Sequence, residues 1–424
     1  MKADVRDYRL PASFFESNRQ KLLDKLPERA LAVIFAGRPV AMSADDLYPF
    51  FANRNFFYLA GVEQAESVLV MLKTGKNVKT ILFLEVQDTL RERWTGKRMT
   101  REEATEISGI TDIRFLPALE DFLSPYISDD ELPVALEECL PYGPGKTFER
   151  SVLSLHKERE IISAGVMLAR IRMVKEPCEI DMIRLAIELT DIALRETAAL
   201  IRPGVSELEL TTAFDYALAR RGCRLPAFES IFAAAKNALC LHHMNPIGYA
   251  GPEELIQVDV GGRVAGLCAD ISRVYPASGY FTERQKLLYE AVRACQEKAF
   301  RVIGPGMRLT AINEEVKMTA RAELERIGVI PGESPADSDV CTYYWHSVSH
   351  HMGMDVHDLS IRELPLEPGM VITVEPGLYV ERWGIGFRLE DDVVVTEDGC
   401  EVLSAGIPRE WKEITETIGK RGRD

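Results

Sequence analysis

Apolar positions change their period several times along this chain, and each change predicts an element. Residues 12–27 carry Phe14, Phe15, Leu22, Leu23 and Leu26 at spacing that suits a first helix. Ala30 to Ala36 is a short apolar run closed by Gly37, which predicts a buried strand. Asn55 to Leu59 and Ser67 to Leu72 continue the pattern of short apolar strands. Thr74-Gly75-Lys76-Asn77 then turns into a further strand, Thr80 to Glu85. Thr100-Arg101-Glu102-Glu103 has the form of a capping box that opens a helix toward Ile107. Strands mixed with helices predict an α/β domain over residues 1–170.

The texture changes near Met173. Lys175-Glu176-Pro177 ends one segment, and Glu179 to Leu200 predicts a long helix with Ile180, Ile183, Ala186, Ile187, Thr190, Ala193 and Leu194 on one stripe. The domain boundary is expected within 165–178, so that residues 171–424 form the second domain. An internal echo follows. Ile201 to Leu208 and Ile303 to Thr310 both run through Pro-Gly to a hydroxyl cap. The first opens a helix to about Arg221 and the second a helix to about Ile327. Each is followed by an apolar hairpin, so this domain reads as two similar halves of α+β character.

The two hairpins are where chemistry enters. Val258-Asp259-Val260-Gly261-Gly262 leads to Ala269-Asp270-Ile271-Ser272-Arg273. A turn centred on Val264 and Ala265 would set Asp259 directly opposite Asp270. Val374-Glu375-Pro376-Gly377 leads to Arg388-Leu389-Glu390, and a turn near Arg382 and Trp383 sets Glu375 opposite Glu390. Opposed Cβ atoms lie roughly 4.5–5.5 Å apart, where like charges repel. Either one acid of each pair is protonated, or cations sit between them. The plain alternative, solvated surface acids, is opposed by the flanks Leu255, Ile256, Val258 and Val260, and Val371, Ile372 and Val374.

Bulk properties narrow the field. A chain of 424 residues exceeds what one core usually holds. A net charge of −15 argues against general binding to nucleic acid or anionic membrane. The eight cysteines form no Cys-x-x-Cys pair, which reads as free thiols in a reducing compartment. The first residues lack the apolar run of a signal peptide. No stretch approaches the roughly 18 apolar residues of a membrane span. A cytoplasmic location is expected. Gly143-Pro144-Gly145-Lys146-Thr147 imitates a phosphate loop, but Leu140 stands where the pattern needs glycine, so it reads as a boundary loop.

Six of the seven histidines, His242, His243, His346, His350, His351 and His357, fall in the domain of the paired acids; His156 does not. Four carboxylates with imidazole make a hard, oxygen-rich donor set, suited to manganese or another octahedral-tolerant divalent metal. Two dications would balance four acids, and nearby Arg388 could offset a bridging hydroxide. Paired metals activate water and polarise a carbonyl, which invites hydrolysis of an amide or ester. No His-Glu-x-x-His helix and no Gly-x-Ser-x-Gly elbow occurs.

Asp259, Asp270, His350, Glu375 and Glu390 resemble the five metal ligands of the pita-bread metallopeptidases. The words Asp270-Ile271-Ser272-Arg273, His346-Ser347-Val348-Ser349-His350, Asp355-Val356-His357-Asp358, Val374-Glu375-Pro376-Gly377 and Arg388-Leu389-Glu390-Asp391-Asp392 match as well. Asn53 to Gly61 resembles the N-terminal domain of Xaa-Pro aminopeptidases (aminopeptidase P) and prolidases.

The resemblance implies a pita-bread catalytic domain with an internal pseudo-twofold repeat, and an aminopeptidase P-type N-terminal domain. It implies two divalent ions, Mn2+ or alternatively Co2+, Zn2+ or Fe2+. Asp259 would bind one, His350 and Glu375 the other, and Asp270 and Glu390 both. A metal-bridging hydroxide would attack the scissile carbonyl, and Glu375 would shuttle its proton. His242 and His357 would contact substrate or the tetrahedral intermediate. His346 would line the pocket, and Arg388 would lie near the substrate-binding end. The substrate would be a peptide with proline second, and the enzyme a homo-oligomer, dimer or tetramer. Trp94 is either a pocket residue reaching a neighbouring subunit or an ordinary half-buried indole.

This sequence departs from the family pattern at His243, His351, Gly262 and Arg263, which bears on pocket shape rather than on the metals. His243 and His351 are expected to be packed or rim residues. Alternatives are a prolidase cleaving Xaa-Pro dipeptides, a methionine aminopeptidase (against which the N-terminal domain argues), and a non-peptidase pita-bread binding protein or amidinohydrolase.

Overall fold

The computed structural model describes residues 4–137, 148, 154, 159–331 and 340–419. Cys139, His156 and the Gly143 to Thr147 loop lie outside them. The chain divides into two compact units, one spanning Leu10–Arg172 and the other comprising Met173–Asp424 together with the segment ending at Arg9. That leading segment, assigned to residues 1–170 by the sequence, joins the second unit because the Val5 N–H donates to the Arg221 carbonyl at 2.9 Å.

The Leu10–Arg172 unit is a six-stranded mixed sheet with helices. Its strands are β1 (Arg29–Phe35), β2 (Val68–Thr74), β3 (Asn77–Leu84), β4 (Asp112–Phe115), β5 (Val134–Leu136) and β6 (Ile161–Ser163), in the order β4-β3-β2-β1-β5-β6. The first three pair antiparallel, and β4, β5 and β6 add in parallel. Strand alternation decides the two faces. Leu31, Val33, Val68, Val70, Leu72, Ile81 and Phe83 share one buried cluster with Leu123.

Helix α1 (Ala12–Lys25) is joined by α2 (Arg54–Ala60), with Phe14 edge-on to Tyr58. The α2 segment corrects the strand expected over Asn55 to Leu59. Asn53 accepts from the Asn55 and Phe56 N–H groups, and Gly61 at φ +68° closes the helix. Apolar residues in an unbroken run do not distinguish a buried helix from a strand. Three further helices follow: α3 (Thr89–Thr95), α4 (Arg101–Ser108), which begins at the expected capping box, and α5 (Leu119–Ile127). Helix α6 (Ala164–Met173) leads out of this unit.

The second unit repeats one theme. Helices α7 (Pro177–Ala198) and α8 (Glu207–Ala219) pack together, as do α9 (Glu283–Val302) and α10 (Leu309–Arg326). After the first pair come β7 (Ile231–Ala234), β8 (Leu255–Val260), β9 (Arg263–Val264), β10 (Leu267–Cys268) and β11 (Ile271–Pro276). After the second come β12 (Val371–Val374), β13 (Gly377–Val380), β14 (Ile385–Arg388), β15 (Asp391–Val395) and β16 (Cys400–Val402). A last helix, α11, spans Trp411–Thr417. The strands form sheets β11-β8-β7 and β12-β15-β16 with the ribbons β9-β10 and β13-β14. This unit has the expected pita-bread architecture, and the Leu10–Arg172 unit is the expected α/β domain. No helix among the described residues is long and apolar enough to cross a membrane.

Candidate metal centre

The first hairpin corrects the expected register. Val264 pairs with Leu267 and Asp259 pairs with Ser272, so Asp270 is not directly opposite Asp259. The turn is Ala265-Gly266, at φ +49° and +88°. β-Branched Val264 disfavours the left-handed region that glycine enters freely, so the turn sits one residue later than expected. Asp270 keeps the alternation of Ser272 and therefore shares its face, diagonal to Asp259 rather than opposed. The backbones approach closely here: a Cβ on Gly261 would lie 1.8 Å from the Ala269 carbonyl oxygen.

The second hairpin has the expected register. Gly377 pairs with Arg388 on one side of the break and Val374 with Asp391 on the other, which leaves Glu375 across from Glu390.

The two hairpins interlock. The Glu390 N–H donates to the Ser272 carbonyl at 3.1 Å, and Ser272 Oγ donates to Glu390 Oε2 at 2.9 Å. The Asp270 N–H donates to Asp392 Oδ2 at 3.1 Å. Arg388 Nη2 donates to Asp259 Oδ2, and its Nη1 to the Leu241 carbonyl at 3.3 Å. Gln257 Oε1 accepts from the Arg388 N–H at 2.9 Å. Behind them Arg273, fully buried, donates to the Glu390 carbonyl and to Asp391 Oδ1.

His350 comes in from the loop preceding β12. Its Nδ1 lies 3.1 Å from the His351 carbonyl oxygen, which can only accept. Nδ1 therefore carries a proton, and Nε2 is the ring nitrogen turned to the acids. It lies 3.5 Å from both Asp270 Oδ2 and Glu375 Oε1. Donor atoms of Asp270, His350 and Glu390 lie within 4.8 Å of one another, and Asp259 Oδ1 is buried without a hydrogen-bond partner. Carboxylates gathered this closely repel unless a cation lies among them, and the imidazole beside them adds a further donor, so the set fits divalent metal. Burial pushes Asp270 and Glu390 well above the ordinary carboxylate range, and their acidic neighbours push further. Glu375 is also raised, chiefly by burial.

A cavity of about 250 Å³ opens on this cluster. Nine positions expected at the site line it: His242, His346, His357 and Arg388 together with Asp259, Asp270, His350, Glu375 and Glu390. His346 Nε2 bonds the Tyr379 hydroxyl at 2.9 Å, and its Nδ1 is 3.4 Å from Glu375 Oε2. Burial, with Arg388 adding, holds His346 down at about 4. The His357 ring stacks on His350 at 3.9 Å between centroids.

His351 is buried and is not among the residues lining the cavity; His243 bonds Glu207 at 3.0 Å. Trp94 is 90% exposed on α3, which excludes the half-buried alternative for this chain. Ser272 and Asp392, which hold Glu390 and Asp270, and Gln257, which holds Arg388, are not among the residues the sequence points to. Their signal was alternation: Gln257 lies two residues before Asp259, and Ser272 and Asp392 two after Asp270 and Glu390.

Comparison with known proteins agrees with this geometry. Residues 181–397 match the model of metallopeptidase family M24, and residues 15–134 match the aminopeptidase P N-terminal domain. The chain is 31% identical to Xaa-Pro aminopeptidase of Escherichia coli (strain K12) over 94% of this chain and 96% of the relative. It is 31% identical to Xaa-Pro aminopeptidase 3 of Homo sapiens, over 90% of this chain and 79% of the relative. Among solved structures, a variant of Escherichia coli aminopeptidase P in complex with substrate superposes with a TM-score of 0.90 at 28% identity, covering 97% of this chain and 99% of that one. Zinc-substituted Escherichia coli aminopeptidase P in complex with product gives 0.89 at 28% identity, covering 98% and 100%. By its catalytic region and its full-length relatives, this chain belongs to metallopeptidase family M24, with an N-terminal domain of the aminopeptidase P type.

Proposed function

We propose that this protein is a metal-dependent aminopeptidase that hydrolyses the bond between an N-terminal residue and a following proline. The observation that carries the reading is the convergence of four carboxylates and the His350 Nε2 atom on one cavity. Asp259, Asp270, His350, Glu375 and Glu390 would hold two divalent ions, with Mn2+ the best match to an oxygen-rich set and Co2+, Zn2+ or Fe2+ as alternatives. Ions held there supply Lewis acidity, which polarises a carbonyl and lets water act as a nucleophile near neutral pH.

The chain's own groups do the rest. Glu375 takes a proton from water at its carboxylate and delivers it to the leaving nitrogen. His242 and His357, both on the cavity wall, donate to the substrate carbonyl as negative charge develops there. His346, held by Tyr379, lines the pocket beside Glu375. Arg388 fixes Asp259 and the Leu241 carbonyl, which ties the acid cluster to the segment bearing His242.

Proline tolerance and N-terminal selection are tested together. Xaa-Pro-Xaa tripeptides should be cleaved with added manganese, releasing the first residue. Cleavage of Xaa-Pro dipeptides alone would make the protein a prolidase, and cleavage of Met-Ala peptides alone a methionine aminopeptidase. Absence of all three activities would remove the peptidase reading.

A further inference from the structure

The segment from Ala235 to Tyr249 carries His242 into the cavity, yet most of residues 240–249 are exposed and form no regular element. Besides the Arg388 contact to the Leu241 carbonyl, one buried carboxylate gathers several of its polar groups. Glu207, the first residue of α8, has a fully buried side chain. Its Oε1 accepts from the Ala234 N–H at 2.6 Å and from Asn237 Nδ2 at 2.8 Å. Its Oε2 accepts from the Gly248 N–H at 2.7 Å and lies 3.0 Å from His243 Nε2. The Glu207 N–H donates to the Gly248 carbonyl at 3.0 Å, so Gly248 is held from both sides. A Cβ on Gly248 would lie 2.6 Å from Glu207 Oε1.

These contacts grip the chain on both sides of His242. A carboxylate accepts and cannot donate, so His243 Nε2 carries its proton toward Glu207. With four donors, the carboxylate is satisfied in a site where an unpaired charge would be costly. From this arrangement we infer that Glu207 and His243 form a positioning clamp that sets the height of His242 over the metal centre. His243, next in the chain to the cavity histidine, thereby acquires a role distinct from packing. Neither clamp residue lines the cavity, so both act through His242. This rests on the proposed peptidase reading for the activity arm of its test only.

The test is a double-mutant cycle with a second, turnover-free measurement. His243→Leu removes the donor while keeping bulk, and His243→Gln restores a donor. In the chain bearing His242, His243→Leu should lower kcat about tenfold with little change in KM, because small misplacements of a catalytic group are costly in rate. His243→Gln should recover most of that loss. In a His242→Ala background the same substitution should change kcat less than about twofold, the signature of two residues acting as a unit. Equal losses in both backgrounds, or no loss in either, would overturn the clamp. Hydrogen exchange at the Ala234 and Gly248 amides supplies the independent arm. Glu207→Gln keeps one acceptor oxygen, so exchange should rise at whichever of the two amides then faces its NH2 group, while metal content is unchanged. Unaltered exchange would overturn the clamp whatever the activity, whereas absent Xaa-Pro cleavage by the unsubstituted protein would count against the peptidase reading alone.

Discussion

Asp270 sits one residue outside its strand, held by the Asp392 carboxylate at its own N–H. That placement turns its side chain toward His350 and the other acids. If Asp270 and Glu390 hold metal, Asp270→Ala and Glu390→Ala should each abolish turnover and lower bound metal; substantial residual turnover would show that the assignment is wrong. Ser272 donates to Glu390 without joining the donor cluster. Ser272→Ala should therefore weaken metal affinity or activity by about 10–100-fold, the usual cost of losing a partner that orients a ligand. Metal titration of the variant checks it. His357 lines the cavity and is assigned to the substrate rather than to the ions, so His357→Ala should slow turnover and leave metal content intact; loss of metal would instead make it a ligand.

At the level of elements, the loop bearing His350 and His357 is pinned by a buried ion pair. Lys175 Nζ lies 3.0 Å from Asp358 Oδ2, with the two side chains 1% and 2% exposed. The Asp358 N–H donates to the His351 carbonyl, and Gly353 leaves no room for a Cβ against Asp358. Asp358→Ala should destabilise the protein by about 3–5 kcal/mol, because it leaves the Lys175 charge buried and unpaired; denaturant unfolding reads this directly, and a loss below about 1 kcal/mol would contradict it.

One turn along α7, burial raises Glu179 to about 7 despite nearby Lys175. The folded value exceeds the unfolded one, so the native state binds the extra proton between about pH 4.5 and 7. Its contribution is complete below that window and is lost as pH rises through it, with a slope of at most about 1.4 kcal/mol per pH unit. Glu179→Gln should flatten that slope; an unchanged profile would place the titration elsewhere.

Elements also show where the sequence was legible. The second hairpin could be read to the residue, because its turn residues and flanking apolar runs agree. The first was misplaced by one residue at the turn, since Val264 and Ala265 look as apolar as a strand while Gly266 is what permits the left-handed turn. The acids were found from their apolar flanks. The groups that hold them, such as Ser272 and Glu207, were not, because a lone hydroxyl or carboxylate gives no local sign of a partner more than a hundred, or some tens, of residues away.

For the whole molecule, the consequence of gathering acids in a buried site is that folding and metal binding are linked. Removing divalent ions should lower the melting temperature, and restoring them at about one hundred times Kd should add about 2.7 kcal/mol for each site filled. A melting temperature indifferent to chelator and metal would contradict this. On the N-terminal unit, Leu90 and Trp94 of α3 are 66% and 90% exposed. Exposed apolar groups together mark candidate association surfaces, in keeping with the homo-oligomer proposed from the resemblance. Light scattering should give a dimer or tetramer that Trp94→Glu weakens; a monomer at all concentrations would set that proposal aside.

The most direct test of the central claim is a titration of metal-free protein with Mn2+, in which bound metal and cleavage of an Xaa-Pro-Xaa tripeptide are measured on the same preparation. The account predicts that cleavage is absent without metal and rises with occupancy until two ions are bound per chain. Cleavage in the absence of bound metal, or a protein that takes up no divalent ion, would contradict it.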